Sequence, residues 1–176
     1  GRLDAAITSA YREFDKKRIT LIETPMTRRM IVVYVRRGEE FPFRNLGELK
    51  DRLGLIPTDL KNSMDLMGRI PNGAILEESR QLDIAFRMLE INRVSYIISP
   101  LLSGETTLRQ LDLQRDIVYF QSPISQIDEH LAVSMRITDC GITPEKLETA
   151  IASLHARGVF PKLIRKNISL WEKTRL

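Results

Sequence analysis

Met30-Ile31-Val32-Val33-Tyr34-Val35 is the longest wholly apolar run in the chain, framed by Arg28-Arg29 on one side and Arg36-Arg37 on the other. It is far too short to cross a bilayer. A run that is apolar at successive positions and rich in β-branched residues predicts a strand buried on both faces. Such a strand needs helices on each side of its sheet, and the flanking sequence supplies them. Asn45 and Glu48 form a capping-box-like pair ahead of Leu46, Leu49 and Leu53, so a helix is expected from Asn45 that Gly54 ends. Pro57 to Asn72 reads as a loop with a short helix over Leu60 to Met67. Ala74 to Leu76 is a short strand, and Ser79 is placed to cap a helix carrying Leu82, Ala85, Phe86 and Leu89 on one face.

The same alternation continues outward. Val94 to Ile98 is a strand closed by Pro100, Glu105 to Leu111 is helical, and Ile117 to Phe120 and Leu131 to Met135 are strands. Thr143 is an N-cap with Pro144 at the first helical position. Leu147, Ala150, Ile151 and Leu154 form the apolar stripe, and Gly158 stops that helix. A last helix starts at Pro161 with Leu163, Ile164 and Ile168. Towards the amino end, Leu3 to Ile7 and Ile19 to Ile22 are short strands on either side of the polar stretch Tyr11 to Arg18. Strands alternating with helices predict an α/β protein with a partly parallel sheet.

Composition bounds the function. The chain has 176 residues, 43% hydrophobic and 28% charged, the mixture of one domain or two small lobes. A net charge of +4 favours mild attraction to anions, but the basic residues stand in scattered groups such as Lys16-Lys17-Arg18. Without a basic stripe interleaved with aromatics, no nucleic-acid partner is expected. Single Cys140 excludes an internal disulfide and a cysteine zinc cluster. Asp139 and Gly141 beside it supply no base, so it reads as a passive turn residue.

Catalytic signatures are missing: there is no GxSxG, HExxH, GxxxxGK[ST] or GxGxxG. The histidines, His130 and His155, read as a strand-edge residue and a helix C-terminal residue rather than metal ligands. Glu77-Glu78 and Asp128-Glu129 read as solvated loop ends. No enzyme activity, cofactor or metal is expected. The segment Asp4 to Arg12 carries more. Ligands of α/β sheets collect beyond the carboxyl ends of strands. There Thr8 and Ser9 offer hydroxyls, Tyr11 a flat ring and Arg12 a bidentate anion clamp. On the local pattern alone, a solvated turn is the simpler reading.

Gly1-Arg2-Leu3-Asp4-Ala5-Ala6-Ile7-Thr8-Ser9 resembles the opening "GRIDA" strand of bacterial extracellular solute-binding proteins of family 3. Lys16-Lys17-Arg18 and then Leu21-Ile22-Glu23-Thr24-Pro25 resemble that family's basic loop and "tePy" turn. Ile31 to Gly38 and Asn45-Leu46-Gly47-Glu48-Leu49-Lys50 resemble its hydrophobic strand and "LkdLkGk". Phe86-Arg87-Met88-Leu89 with Asn92 to Ile98 is similar to a second "GrvDa" unit, and Leu131-Ala132-Val133-Ser134 to the "lafSk" strand. Leu147 to Ile164 resembles the closing helix pair. Order and spacing carry the resemblance over nearly the whole chain.

The resemblance implies a periplasmic binding protein-like II fold, α/β, with two lobes joined by hinge strands. Lobe I would comprise residues 1–35 and 130–176 and lobe II residues 36–129. Lobe I would be incomplete, lacking a strand–helix–strand–helix segment that precedes Gly1 in the family. The implied function is periplasmic capture of a small polar or anionic solute as the lobes close, for an ABC-transporter permease or a sensor partner. Thr8, Ser9, Tyr11 and Arg12 would serve lobe I, and Thr58, Asp59 and Ser99 lobe II. The family's ammonium-binding acid should follow Val94 to Ile98, where Ser99-Pro100 stand instead, so a standard α-amino acid is not expected. The alternative is a related signalling or interaction module without a small-molecule ligand. An incomplete lobe implies a homodimer through its open side.

Overall fold

The computed structural model describes residues 4–8, 18–61, 64–135 and 141–173. The apolar run lies inside β3 (Thr27–Arg36), where Ile31 to Val35 are all buried. Its residues alternate between two cores. Ile31, Val33 and Val35 join one, and Val32 and Tyr34 the other, so the strand is covered on both faces. Around it stand β4 (Leu53–Pro57), β5 (Ile75–Ser79), β6 (Tyr96–Pro100) and β7 (Ile117–Tyr119). β4 pairs in parallel with both β5 and β6, while β6 and β7 run antiparallel to β3.

Helices α1 (Thr58–Lys61), α2 (Met64–Met67), α3 (Leu82–Glu90) and α4 (Leu101–Leu111) belong to the same body. Leu60 and Leu66 pack on one face of the sheet with Phe41, Leu49 and Ile56. Ala85, Phe86, Leu89 and Leu108 pack on the other with Leu55 and Ile97.

The remaining elements are β1 (Ala5–Thr8), β2 (Ile19–Leu21), β8 (Ser125–Ser134), α5 (Pro144–Ala156) and α6 (Val159–Lys173). β1 and β2 both pair antiparallel with the later part of β8. The chain divides into two units, residues 1–28 with 128–176 and residues 29–127, and passes between them within β3 and within β8. The first crossing precedes the expected boundary at residue 35, because Ile31 to Val35 belong to the core of the second unit. Among the described residues, the core of the first unit centres on Ile22, Val133 and Ile151, and Ile7, Leu163 and Leu170 are exposed.

The helix expected from Asn45 is a single 3₁₀ turn, Leu46–Leu49, capped by Asn45, whose Oδ1 accepts from the Gly47 N–H at 2.8 Å. Leu53 and Gly54, read as the end of that helix, instead open β4, the strand between β5 and β6. Leu46, Leu49 and Leu53 satisfy helical spacing, but two parallel partners claim the backbone from Leu53 onward. Ser79 ends β5 instead of capping α3, although its hydroxyl donates to the Gln81 carbonyl at the helix entry at 2.9 Å. α4 starts directly after Pro100, earlier than expected, and α6 starts at Val159 rather than Pro161. Thr143 caps α5 as the sequence predicts, accepting from the Lys146 N–H at 3.4 Å.

Candidate functional site

The parallel strands β4 and β5 and their neighbour β6 end together at Pro57, Ser79 and Pro100. Loops beyond such ends lack ladder partners and collect polar groups. Thr58 and Asp59 follow β4 directly, in α1. Glu78 stands next to the end of β5. Arg29 enters from β3, two positions before Ile31, whose register partner is Pro100.

These four side chains are bonded in two pairs. Thr58 Oγ1 donates to Glu78 Oε1 at 2.6 Å, and Arg29 Nη1 donates to Asp59 Oδ2 at 3.2 Å. Arg29 is the more enclosed partner of its pair, with a side-chain exposure of 25% against 59% for Asp59. The first turn of α4 starts from the end of β6 with no acidic residue and no side-chain cap. Its amino end therefore adds a partial positive charge to this edge. One cation, two carboxylates, a hydroxyl and a helix amino end thus meet in the second unit, a set able to exchange its internal bonds for those of a charged or polar solute.

Of the residues expected for this lobe, Thr58 and Asp59 stand at the edge and Ser99 does not. Ser99 is fully buried, on the same face of β6 as Ile97, and its hydroxyl donates to the Pro100 carbonyl at 3.3 Å. A strand-end serine reads as accessible, but α4 turns back over it immediately. Arg29 and Glu78 were missed. Arg29 lies in β3 just ahead of its apolar run and Glu78 was read as a solvated loop end, and neither has a local signal of convergence.

In the first unit, Thr8 is half-buried at the end of β1, with His130 of β8 as its register partner. Ser9, Tyr11, Arg12 and Cys140 lie outside the described residues. His130 Nδ1 lies 3.0 Å from the Ile22 carbonyl. Arg28 Nε donates to Asp128 Oδ1 at 2.6 Å, and this bond holds the Asp128 carboxyl below its ordinary range.

The loop Glu23-Thr24-Pro25 is clasped by α5. Glu148 accepts the backbone N–H groups of Glu23 and Thr24, each at 2.8 Å, and the Thr24 hydroxyl. The hydroxyl bond is the main cause of a lowered Glu148 pKa. Two turns further along the same face of α5, His155 Nε2 lies 2.6 Å from the Pro25 carbonyl. Both histidines therefore bond backbone carbonyls. Among the described residues, no group of three or more His, Cys, Asp and Glu could hold a metal ion, and no helix is long and apolar enough to cross a membrane.

No protein-family model and no curated protein matches the chain. Solved structures do. The GluR0 ligand-binding core in complex with L-glutamate aligns with a TM-score of 0.69 at 15% identity, over 89% of this chain and 65% of that one. A histidine kinase sensor domain with similarity to periplasmic binding proteins aligns at 0.62 and 18%, over 85% and 63%. The substrate-binding protein of an amino acid ABC transporter aligns at 0.57 and 18%, over 86% and 64%. The chain therefore has the periplasmic binding protein-like II fold and spans less than two thirds of the length of each of these neighbours.

Proposed function

We propose that the chain is the solute-recognising part of a periplasmic binding protein that captures a small polar solute, without catalysis, for ABC-transporter uptake or sensing. The observation that carries this reading is the convergence of Arg29, Thr58, Asp59 and Glu78 at the carboxyl ends of the parallel strands. In this proposal Arg29 and the amino end of α4 take an anionic group of the solute. Asp59 and Glu78 take a cationic one, and Thr58 orients it. Thr8, Ser9, Tyr11 and Arg12 serve from the first unit, and the closing of two lobes implied by the family resemblance couples binding to a permease or sensor. The neighbours support both outlets, since one is named for an amino acid ABC transporter and another for a histidine kinase. A homodimer through the small-cored first unit belongs to the same proposal.

One observation favours the rival reading, an interaction module without a ligand: Thr58 is already bonded to Glu78, and Arg29 Nη1 to Asp59. A thermal-shift screen over amino acids, opines, polyamines and organic acids separates the two. A solute at 100 times its Kd stabilises by about 2.7 kcal/mol, a rise of several degrees. No shift with any member at millimolar concentration rejects solute capture and leaves the rival.

A further inference from the structure

On another side of the second unit, a cavity of about 250 Å³ opens between α4 and β7. Ile117, Val118 and Tyr119, three consecutive strand residues, all line it. Side chains of successive strand residues point to opposite faces, so a cavity that touches all three lies along the strand's edge. The hydrogen-bond register agrees. Phe120 N–H donates to Val33 O at 3.0 Å and Arg37 N–H to Asp116 O at 2.7 Å, with Val35 opposite Val118. The bonded pairs therefore fall on every second residue. Val118 turns its peptide groups to β3, while Ile117 and Tyr119 turn theirs away.

The Ile117 N–H is taken by the Leu113 carbonyl at 3.0 Å. The Tyr119 N–H, the Tyr119 carbonyl and the Ile117 carbonyl have no backbone partner among the described residues. They form a short unpaired ladder. Facing it, α4 contributes Glu105, Leu108 and Arg109, which lie on one helix face by their spacing. Leu108 and Ile117 are buried and give the cavity an apolar floor. Arg37 stands at the rim, its Nε bonded to the Arg115 carbonyl. Arg37 is exposed, and its guanidinium gives the rim a positive charge.

We propose that this groove binds an extended, acidic peptide segment that adds antiparallel to β7 as a further strand, with a carboxylate at Arg37. A strand slotted between a sheet edge and a helix satisfies the three edge groups, and its alternate side chains fill the apolar floor. This site is separate from the polar edge at Arg29 and Glu78 and does not depend on what binds there. Its occupant is a protein segment, which suits a chain whose fold neighbours include a sensor domain.

The probe is a fluorescein-labelled hexapeptide of alternating Thr and Val ending in Glu with a free carboxyl terminus. Expected results are saturable binding by anisotropy and slowed hydrogen exchange at the Tyr119 amide at saturation. Arg37→Glu should weaken binding about tenfold or more, and a peptide N-methylated at alternate bonds should not bind. Arg37 is exposed, so its variant is expected to fold, which circular dichroism checks. Absence of binding up to about 1 mM overturns the proposal. So does equal binding of the N-methylated peptide, or binding that leaves Tyr119 exchange unchanged, since the groove would then be reading side chains rather than a strand.

Discussion

Tyr96 sets its ring on the backbone of Gly54, its register partner on β4, so closely that a Cβ at position 54 would overlap Cε1, Cζ and Cε2 of the ring. The same arrangement recurs where the Tyr34 ring lies on Gly104 of α4. These two contacts let fully buried tyrosines occupy the two opposed cores of the second unit.

Gly54→Ala is therefore an overpacking change in a strand bonded on both sides. It should destabilise the protein by about 1–3 kcal/mol, measured by urea denaturation, despite the small gain from a stiffer unfolded chain. Adding Tyr96→Leu should recover part of the loss. Independent, additive effects of the two substitutions would show that the ring is not what excludes a side chain at position 54.

The two tyrosine hydroxyls should respond oppositely to removal. The Tyr34 hydroxyl donates to the Leu101 carbonyl at 2.9 Å, whereas the Tyr96 hydroxyl is buried with no hydrogen-bond partner among the described residues. Tyr34→Phe should cost about 1–2 kcal/mol, and Tyr96→Phe should be neutral or stabilising by up to about 1 kcal/mol. Burial pushes the Tyr96 pKa up to about 12 and raises that of Tyr34 further, so neither should ionise in the native protein at pH 10. Ultraviolet absorbance titration checks this, and ionisation of all four tyrosines near pH 10 without unfolding would contradict it.

Glu148 makes part of the stability pH-dependent. Its folded pKa lies below the ordinary 4.5, first because of the Thr24 hydroxyl, so its bonds are fully present above pH 4.5 and are lost as pH falls through the lower folded value. Asp128, lowered by Arg28, acts in the same direction. Glu148→Gln should lower the unfolding free energy at pH 7 by about 1 kcal/mol or less, since the clasp is exposed to water. It should also flatten the fall in stability between pH 5 and pH 3, and an unchanged acid slope would count against the clasp.

Arg29 and Ser99 separate the polar edge from the core. Against a solute found in the thermal-shift screen, Arg29→Ala should remove most of the ligand-induced rise while moving the unliganded midpoint by only a few degrees. Ser99→Ala should keep the rise, because its hydroxyl is enclosed and bonded to the adjacent carbonyl. Loss of the rise in Ser99→Ala with folding intact would return that residue to the site.

Legibility in the sequence followed the range of the forces at work. Met30 to Val35 and Val94 to Ile98 announced themselves because both faces of each strand are apolar, and Thr143-Pro144 because a cap is a contact over three residues. Thr58 and Asp59 were readable as residues of a strand-end loop. Ser99 looked the same and was not, since whether a strand end is open depends on where the next helix packs.

Local chemistry alone thus specified the α/β class, the double-faced core strand and the capped carboxyl-terminal helix. Periodicity and caps are written in neighbouring residues. Folding in three dimensions settled the rest. Leu53 to Pro57 is a strand because β5 and β6 hold it, and Arg29 meets Asp59, and Glu148 meets Thr24, across long loops of chain. Each of these rests on burial and bonding between distant segments, whose free energy no short window of residues contains.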